Sequence, residues 1–134
     1  NNKKITIIND SKSTSFSSSL NLLKSYKNIF WIVGGLAKKG DKFNLPKKYY
    51  KNINCYIFGK DKNLFIKAFN KKLKFQAFTR LQQIIKKIKI DLNNKVHTNI
   101  LFSPAAASFD QFSNFEDRGK YFNNLIKKNN FLGN

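Results

Sequence analysis

The chain has 134 residues, the length of one ordinary domain, and its 41% hydrophobic and 15% aromatic content excludes a disordered basic tail. It carries a formal net charge of +19 and one cysteine, Cys55, which excludes an internal disulfide framework. No apolar run is long enough to span a membrane and Asn1 to Asn9 has no signal-peptide pattern, so a reducing, cytoplasmic setting is expected.

Along the chain, Lys4 to Asn9 (KITIIN) is β-branched and apolar, as in a buried strand of a parallel sheet. After Asp10-Ser11-Lys12-Ser13-Thr14, residues Phe16, Leu20 and Leu23 share a helical face, with serines at its start. Asn28 to Val33 is a second strand, stopped by Gly34-Gly35. Strand, helix, strand predicts a βαβ unit with a right-handed crossover and a parallel pair. Leu36 to Leu45 reads as a polar loop, and Pro46 as a helix start. Ile53 to Phe58 (INCYIF) is a third strand, after which Asp61 can cap a helix bearing Leu64, Phe65, Ala68 and Phe69. Leu73 to Phe75 is a short strand candidate. From Thr79, residues Leu81, Ile84, Ile85, Ile88 and Leu92 repeat at helical spacing, and Asn93-Asn94 ends that helix. Thr98 to Phe102 is the next strand.

The stretch Ser103 to Gly119 (SPAAASFDQFSNFEDRG) combines a small-residue turn with a helix-start signal. Ser108 and Gln111 have capping-box spacing, which predicts a last helix from about Phe109 to Lys128 with Phe112, Phe115, Phe122, Leu125 and Ile126 facing inward. Gly119 falls on that side, where it permits close approach to the sheet, and Lys127 and Lys128 suit the helix C-terminus. The alternation predicts an α/β fold, a Rossmann-like three-layer domain with a mostly parallel sheet of about five or six strands flanked by helices.

Sheets of this kind bind ligands beyond the carboxyl ends of their strands. Three such ends carry candidate groups: Asp10, Lys12 and Thr14; Gly34, Gly35 and Lys38; and Ser108 at an expected helix N-terminus, a seat for an anion. Lysines and hydroxyls converging from separate loops suit a carboxylate ligand. Asp10, Asp110, Glu116 and Asp117, four of the seven acidic residues, fall in these stretches. His97 and Cys55 read as a surface and a core residue. The net charge leaves two readings open, a nucleic-acid partner and a solvated surface that has drifted toward lysine and asparagine. The second is favoured because Arg80 and Arg118 are the only arginines, and phosphate or base readers lean on arginine.

The segment SPAAASFDQF (Ser103 to Phe112), continuing Asn114-Phe115-Glu116 and Arg118-Gly119, closely resembles the C-terminal domain of the Mur ligases, and specifically of the type that adds D-glutamate. Asn9 to Thr14 (NDSKST) resembles the D-S-K-x-T element that begins that domain, Gly34 to Lys38 (GGLAK) its glycine-pair loop, and Tyr56 to Asp61 (YIFGKD) also fits. These elements occur in the family's order along almost the whole chain. Sister types carry an aspartate followed by a His-Asn/Lys-Pro element where Lys12-Ser13-Thr14 stands here, so the resemblance favours D-glutamate. Phe109 and Ala106 stand at positions that vary in the family, and Leu36-Ala37 is less polar than its usual loop.

The resemblance implies a ligase of peptidoglycan-precursor synthesis that joins D-glutamate to UDP-N-acetylmuramoyl-L-alanine. ATP, with Mg2+, would phosphorylate the substrate carboxylate, and the amine of D-glutamate would displace phosphate from the acyl phosphate. It implies that Thr14, Lys38 and Ser108, with the backbones near Phe109 and Phe115, bind D-glutamate, while Asp10 and Lys12 face the nucleotide. The chain has no P-loop pattern for ATP, so residues 1–134 are expected to be the C-terminal domain alone, without the UDP-binding and ATPase domains. Such a domain is expected to hold no catalytic residue and no metal by itself, to have no nucleic-acid or membrane partner, and to be monomeric. A sister ligase adding another amino acid and a small basic nucleic-acid-binding module are the alternatives.

Overall fold

Short apolar runs bounded by glycine, asparagine and aspartate become the strands of a single parallel sheet. The computed structural model describes residues 5–92 and 96–131; Lys4 and Asn93-Asn94, the expected strand start and helix stop, lie outside them. Strands Ile5–Asn9 (β1), Ile29–Gly34 (β2), Ile53–Phe58 (β3), Lys74–Ala77 (β4) and Thr98–Phe102 (β5) pair in the order β1-β5-β2-β3-β4, every pair parallel. The expected βαβ unit is present as strand, helix, strand, but β1 and β2 are not hydrogen-bonded neighbours. Strand β5 lies between them.

Four helices, Phe16–Ser25 (α1), Lys62–Phe69 (α2), Leu81–Asp91 (α3) and Phe115–Lys128 (α4), cover the two faces. Because side chains alternate along a strand, Trp31, Val33, Cys55, Ile57 and Leu101 point to the α1/α2 face, while Ile32, Tyr56, Phe58, Ile100 and Phe102 point to the α3/α4 face. The first face is an aromatic cluster in which Phe43 lies 5.4 Å from Phe16 and 5.0 Å from Phe69, ring centre to ring centre. The second mixes the isoleucines and leucines of α3 and α4 with aromatics, Phe122 stacking on Phe102 at 4.3 Å. Phe43 and Leu45 are buried, so the segment expected to be a polar loop plugs the core between β2 and a 3-10 turn at Lys47–Asn52. Exposed lysines stand on helices of both faces, among them Lys24, Lys67, Lys86 and Lys120, rather than on one.

The last helix begins later than its capping-box spacing predicts. Ser108 closes only a turn, its carbonyl accepting from the Gln111 and Phe112 amides, and the Gln111 side chain donates to the Thr79 carbonyl instead of reaching back. The working cap is Asn114, whose side chain accepts from Asp117 N at 2.8 Å, with Glu116 and Asp117 complementing the helix dipole. Phe112 therefore precedes the helix and Phe115, expected to face inward, is 40% exposed. The buried stripe of α4 is Arg118, Gly119, Phe122, Leu125 and Ile126. Gly119 packs as expected: a Cβ there would lie 3.2 Å from that of Ser11. Of the other helices, α1 uses Ser15 and Ser18 as a capping box, whereas Asp61 starts α2 without a side-chain cap bond. Among the described residues no helix is long and apolar enough to cross a membrane.

Away from these loops, Asp91 accepts from Tyr56 Oη at 2.8 Å, from Gln76 Nε2 at 3.3 Å and from Lys87 Nζ at 2.7 Å. Partial burial pushes the Asp91 carboxyl up, but the bonds from Lys87, Tyr56 and Gln76 and the lysine charge outweigh it, leaving the group below its ordinary value. A carboxyl depressed in the folded state contributes stability above its unfolded-state value and loses it as pH falls through the folded one. The stability difference between the wild type and Asp91→Asn, from urea unfolding, is therefore expected to be full near neutrality and to shrink below about pH 4. A difference independent of pH would show that the carboxylate charge contributes nothing there.

Candidate ligand site at the carboxyl rim of the sheet

Chains leaving β1 and β2 turn toward the α1/α2 face, whereas the chain leaving β5, between them, runs on to α4 on the opposite face. Where connections diverge in this way, the crevice beyond the strand ends is the usual ligand position in a doubly wound sheet. Three loops meet there. The loop after β1 joins the one after β5 where Ala105 N donates to Ser13 Oγ at 3.1 Å and Ser103 Oγ to Asp10 Oδ2 at 2.8 Å. The loop after β2 joins it through paired amide bonds, each 2.9 Å, between Leu36 and Ala107, and through Gly34 N to the Pro104 carbonyl.

The small residues of the turn explain how backbones come this close. Gly35 has φ +131°, and a Cβ on it would lie 2.5 Å from the Ala107 carbonyl oxygen and 3.3 Å from Ala106 Cβ. Ala105 is held at φ 57°, a left-handed conformation costing roughly 1–2 kcal/mol for an L residue, and its amide is fixed by Ser13. Beneath the turn runs a chain of buried hydroxyls: Ser13 to Ser19 at 2.6 Å, Ser19 to Ser103 at 2.5 Å, and Ser103 to the Asp10 carboxylate. Trp31 Nε1 donates to the Ser103 carbonyl at 2.7 Å, tying this chain to the aromatic core. Every link satisfies a polar group that burial would otherwise leave costly.

Four carboxylates are consumed in fixing these loops. Asp10 accepts from Ser103, Asp41 from Phe16 N at the start of α1 at 2.7 Å, Asp61 from Ala37 N at 2.9 Å, and Asp110 from Lys60 N at 2.8 Å. Among the described residues none of them pairs with a lysine. The salt bridge found among the described residues is Lys87–Asp91, far from this rim in the fold. Lys12, Lys38 and Lys60 are exposed there, so the crevice presents positive charge to solvent. Arg118, in contrast, is 1% exposed, its guanidinium enclosed by carbonyls, and burial pulls its pKa down to about 10, an effect that the charge of Asp110 partly opposes. It remains a cation at neutral pH.

The structure thus brings together the loops carrying Thr14, Lys38 and Ser108, as expected. Thr14 is exposed and is not the helix cap, which is Ser15. Lys38 is exposed and lines a hollow of about 300 Å³ with Ala37, Asp41 and Leu64. Phe109 is 68% exposed on the rim, but Ser108 is only 3% exposed, so its side chain sits beneath the surface. Asp10 is half-buried with one oxygen turned to Ser103, while Lys12 points into solvent. Among the described residues no group of three or more His, Cys, Asp or Glu is placed to hold a metal. Burial pushes the Cys55 thiol up, as for an inert core residue, and His97 bonds Thr6 at the surface. Sequence reasoning missed Ser13, Ser19, Ser103 and Arg118 as the fixings of the site. The available signal was an arginine in a chain whose cations are otherwise nearly all lysine, adjacent to a packing glycine.

No family model matches the chain. Individual relatives do. It is 35% identical over 125 residues to the UDP-N-acetylmuramoylalanine--D-glutamate ligase of Wolbachia sp. subsp. Brugia malayi, covering 92% of this chain and 25% of that protein. It is 41% identical over 126 residues to the enzyme of the same name from Hydrogenobaculum sp., covering 92% and 30%, and 37% identical over 135 residues to that of Prochlorococcus marinus, covering 92% and 28%. The chain spans between a quarter and a third of the length of these curated relatives. The parallel three-layer fold, the loops gathered at its carboxyl rim and this repeated similarity over nine tenths of the sequence make the chain a Mur-ligase-like domain, homologous to one segment of the D-glutamate-adding ligases.

Proposed function

We propose that the chain is the C-terminal, amino-acid-binding domain of a ligase that adds D-glutamate to UDP-N-acetylmuramoyl-L-alanine. The observation that carries this reading is the union of three loops, at residues 10–14, 34–38 and 103–109, on one rim where lysines are exposed and nearby carboxylates are engaged internally. In this reading Thr14 and Lys38 hold one carboxylate of D-glutamate, with Ser108 and the backbones near Phe109 and Phe115 directing the other. A diacid suits such a site because point charges supply attraction while hydroxyl and amide donors supply direction. Ser108, beneath the rim, contributes its turn before its hydroxyl: its carbonyl closes the segment that sets the backbone at Phe109.

Asp10 and Lys12 face the nucleotide in the assembled enzyme. In this reading ATP and its Mg2+ are held mainly by an ATPase domain that precedes this one in the full protein, itself preceded by a UDP-binding domain. The reaction joins the D-glutamate amine to the L-alanyl carboxyl as an amide, with ATP becoming ADP and phosphate. This chain's part is to bind and orient the amino acid, and to close over the acyl phosphate so that water is kept from it. The domain alone is expected to be inactive.

Turnover by the full-length protein should require D-glutamate, and this chain alone should give none. Lys38→Ala in the full-length protein is expected to raise the KM for D-glutamate about tenfold or more while moving that for ATP by less than about twofold. Equal effects on the two substrates, or preference for another amino acid, would overturn the assignment.

A further inference from the structure

Among the described residues the buried arginine of α4 has no carboxylate hydrogen-bonded to it. Arg118 instead spends its donors on two loops: Nε to Ser11 Oγ at 3.0 Å, one terminal nitrogen to the Ala106 carbonyl at 2.9 Å, and the other to the carbonyls of Ser11 and, at 3.4 Å, Ser13. Ser11 Oγ passes the connection on, donating to the Phe115 carbonyl at 2.7 Å. Arg118 and the Ser11 hydroxyl together therefore join the loop after β1, the turn after β5 and the first residue of α4.

A cation buried among neutral acceptors is a poor device for stability. Desolvating a charge is costly, and carbonyls offset less of that cost than a carboxylate would. What a guanidinium offers is geometry, a planar fork whose donors hold several acceptors at fixed mutual angles, which a lysine cannot reproduce. Its acceptors are the backbones on either side of the rim: Ser11 and Ser13 lead to Thr14, Ala106 leads to Ser108 and Phe109, and Phe115 is held through Ser11.

We infer that Arg118 and the Ser11 hydroxyl form a positioning clamp that sets the spacing between the Thr14 side and the Ser108–Phe115 side of the amino-acid site, and so sets its affinity for the amino acid. Arg118 touches no substrate in this assignment. It acts through the loops it joins, and it rests on the reading of this rim as the amino-acid site. Displacements of about 1 Å in such supports lower binding or rate by factors of ten to a hundred.

Two variants test the clamp by two readouts. Arg118→Lys keeps the charge and loses the fork; Ser11→Ala leaves Arg118 its three carbonyls and removes the link to Phe115. In the full-length protein each is expected to raise the KM for whichever amino acid the wild type accepts by about tenfold, with the KM for ATP moving much less. A purely structural role would lower kcat with the active fraction and leave both KM values unchanged. In the chain itself, amide hydrogen exchange is expected to quicken at Ala105, Ala107 and Arg118 in both variants, while β2 and β3 stay protected. Should Arg118→Lys fail to fold, Ser11→Ala decides alone. Unchanged exchange at the rim, or unchanged KM, in a folded variant overturns the clamp. If the wild type accepts an amino acid other than D-glutamate, or turns over none, the reading of the site falls while the exchange measurement still judges the clamp.

Discussion

The structure depends on one constraint: where the connections from β1 and β5 part to opposite faces of the sheet, their backbones must come close without leaving buried polar groups unmet. Small residues and hydroxyls meet it together. Ala105 to Ala107 and Gly35 let the chains approach, and Ser13, Ser19 and Ser103 fill the space between them with mutually satisfied hydroxyls. No buried side-chain nitrogen or oxygen among the described residues lacks a partner, which is the condition for a polar knot of this kind to rigidify rather than weaken a fold.

That knot also decides the electrostatics of the rim. Seven acidic residues against a net charge of +19 leave the molecule few counter-ions of its own, and four of those carboxylates hold loops through neutral donors. Lysines at the crevice are consequently presented to solvent, which suits the anionic amino acid proposed as ligand. Lysines elsewhere cover helices on both faces, a distribution that fits solvation better than a single nucleic-acid-binding face.

The strands and the helix over Leu81–Asp91 were legible because their apolar residues follow one period cleanly, and the gathering of three loops followed from a parallel α/β pattern with candidate polar side chains after its strands. The position of β5 between β1 and β2 was not, since pairing between strands about seventy and ninety residues apart leaves no local trace. The start of α4 was misplaced because two cap signals compete within six residues. Ser108–Gln111 has the spacing, but starting at Asn114 sets Arg118 and Gly119 one turn in and facing β1. The serines from Ser15 to Ser19 looked like helix-start chemistry, and Ser15 and Ser18 form that cap, but Ser19 bonds Ser103, while Ser11 and Ser13 of the preceding loop are tied to Arg118 and Ala105. Phe43 and Leu45 were hidden among polar neighbours and fill the aromatic core.

The central claim is that three loops distant in sequence form one seat for a small diacid, and the most direct measurement is amide chemical-shift mapping of this chain during titration with D-glutamate. The account predicts shifts confined to Thr14, Lys38, Ser108, Phe109 and Phe115 and their immediate neighbours, saturating together, and weaker ones with L-glutamate. Shifts scattered over the lysine-bearing helices, shifts in one loop without the others, or equal response to both enantiomers would contradict it.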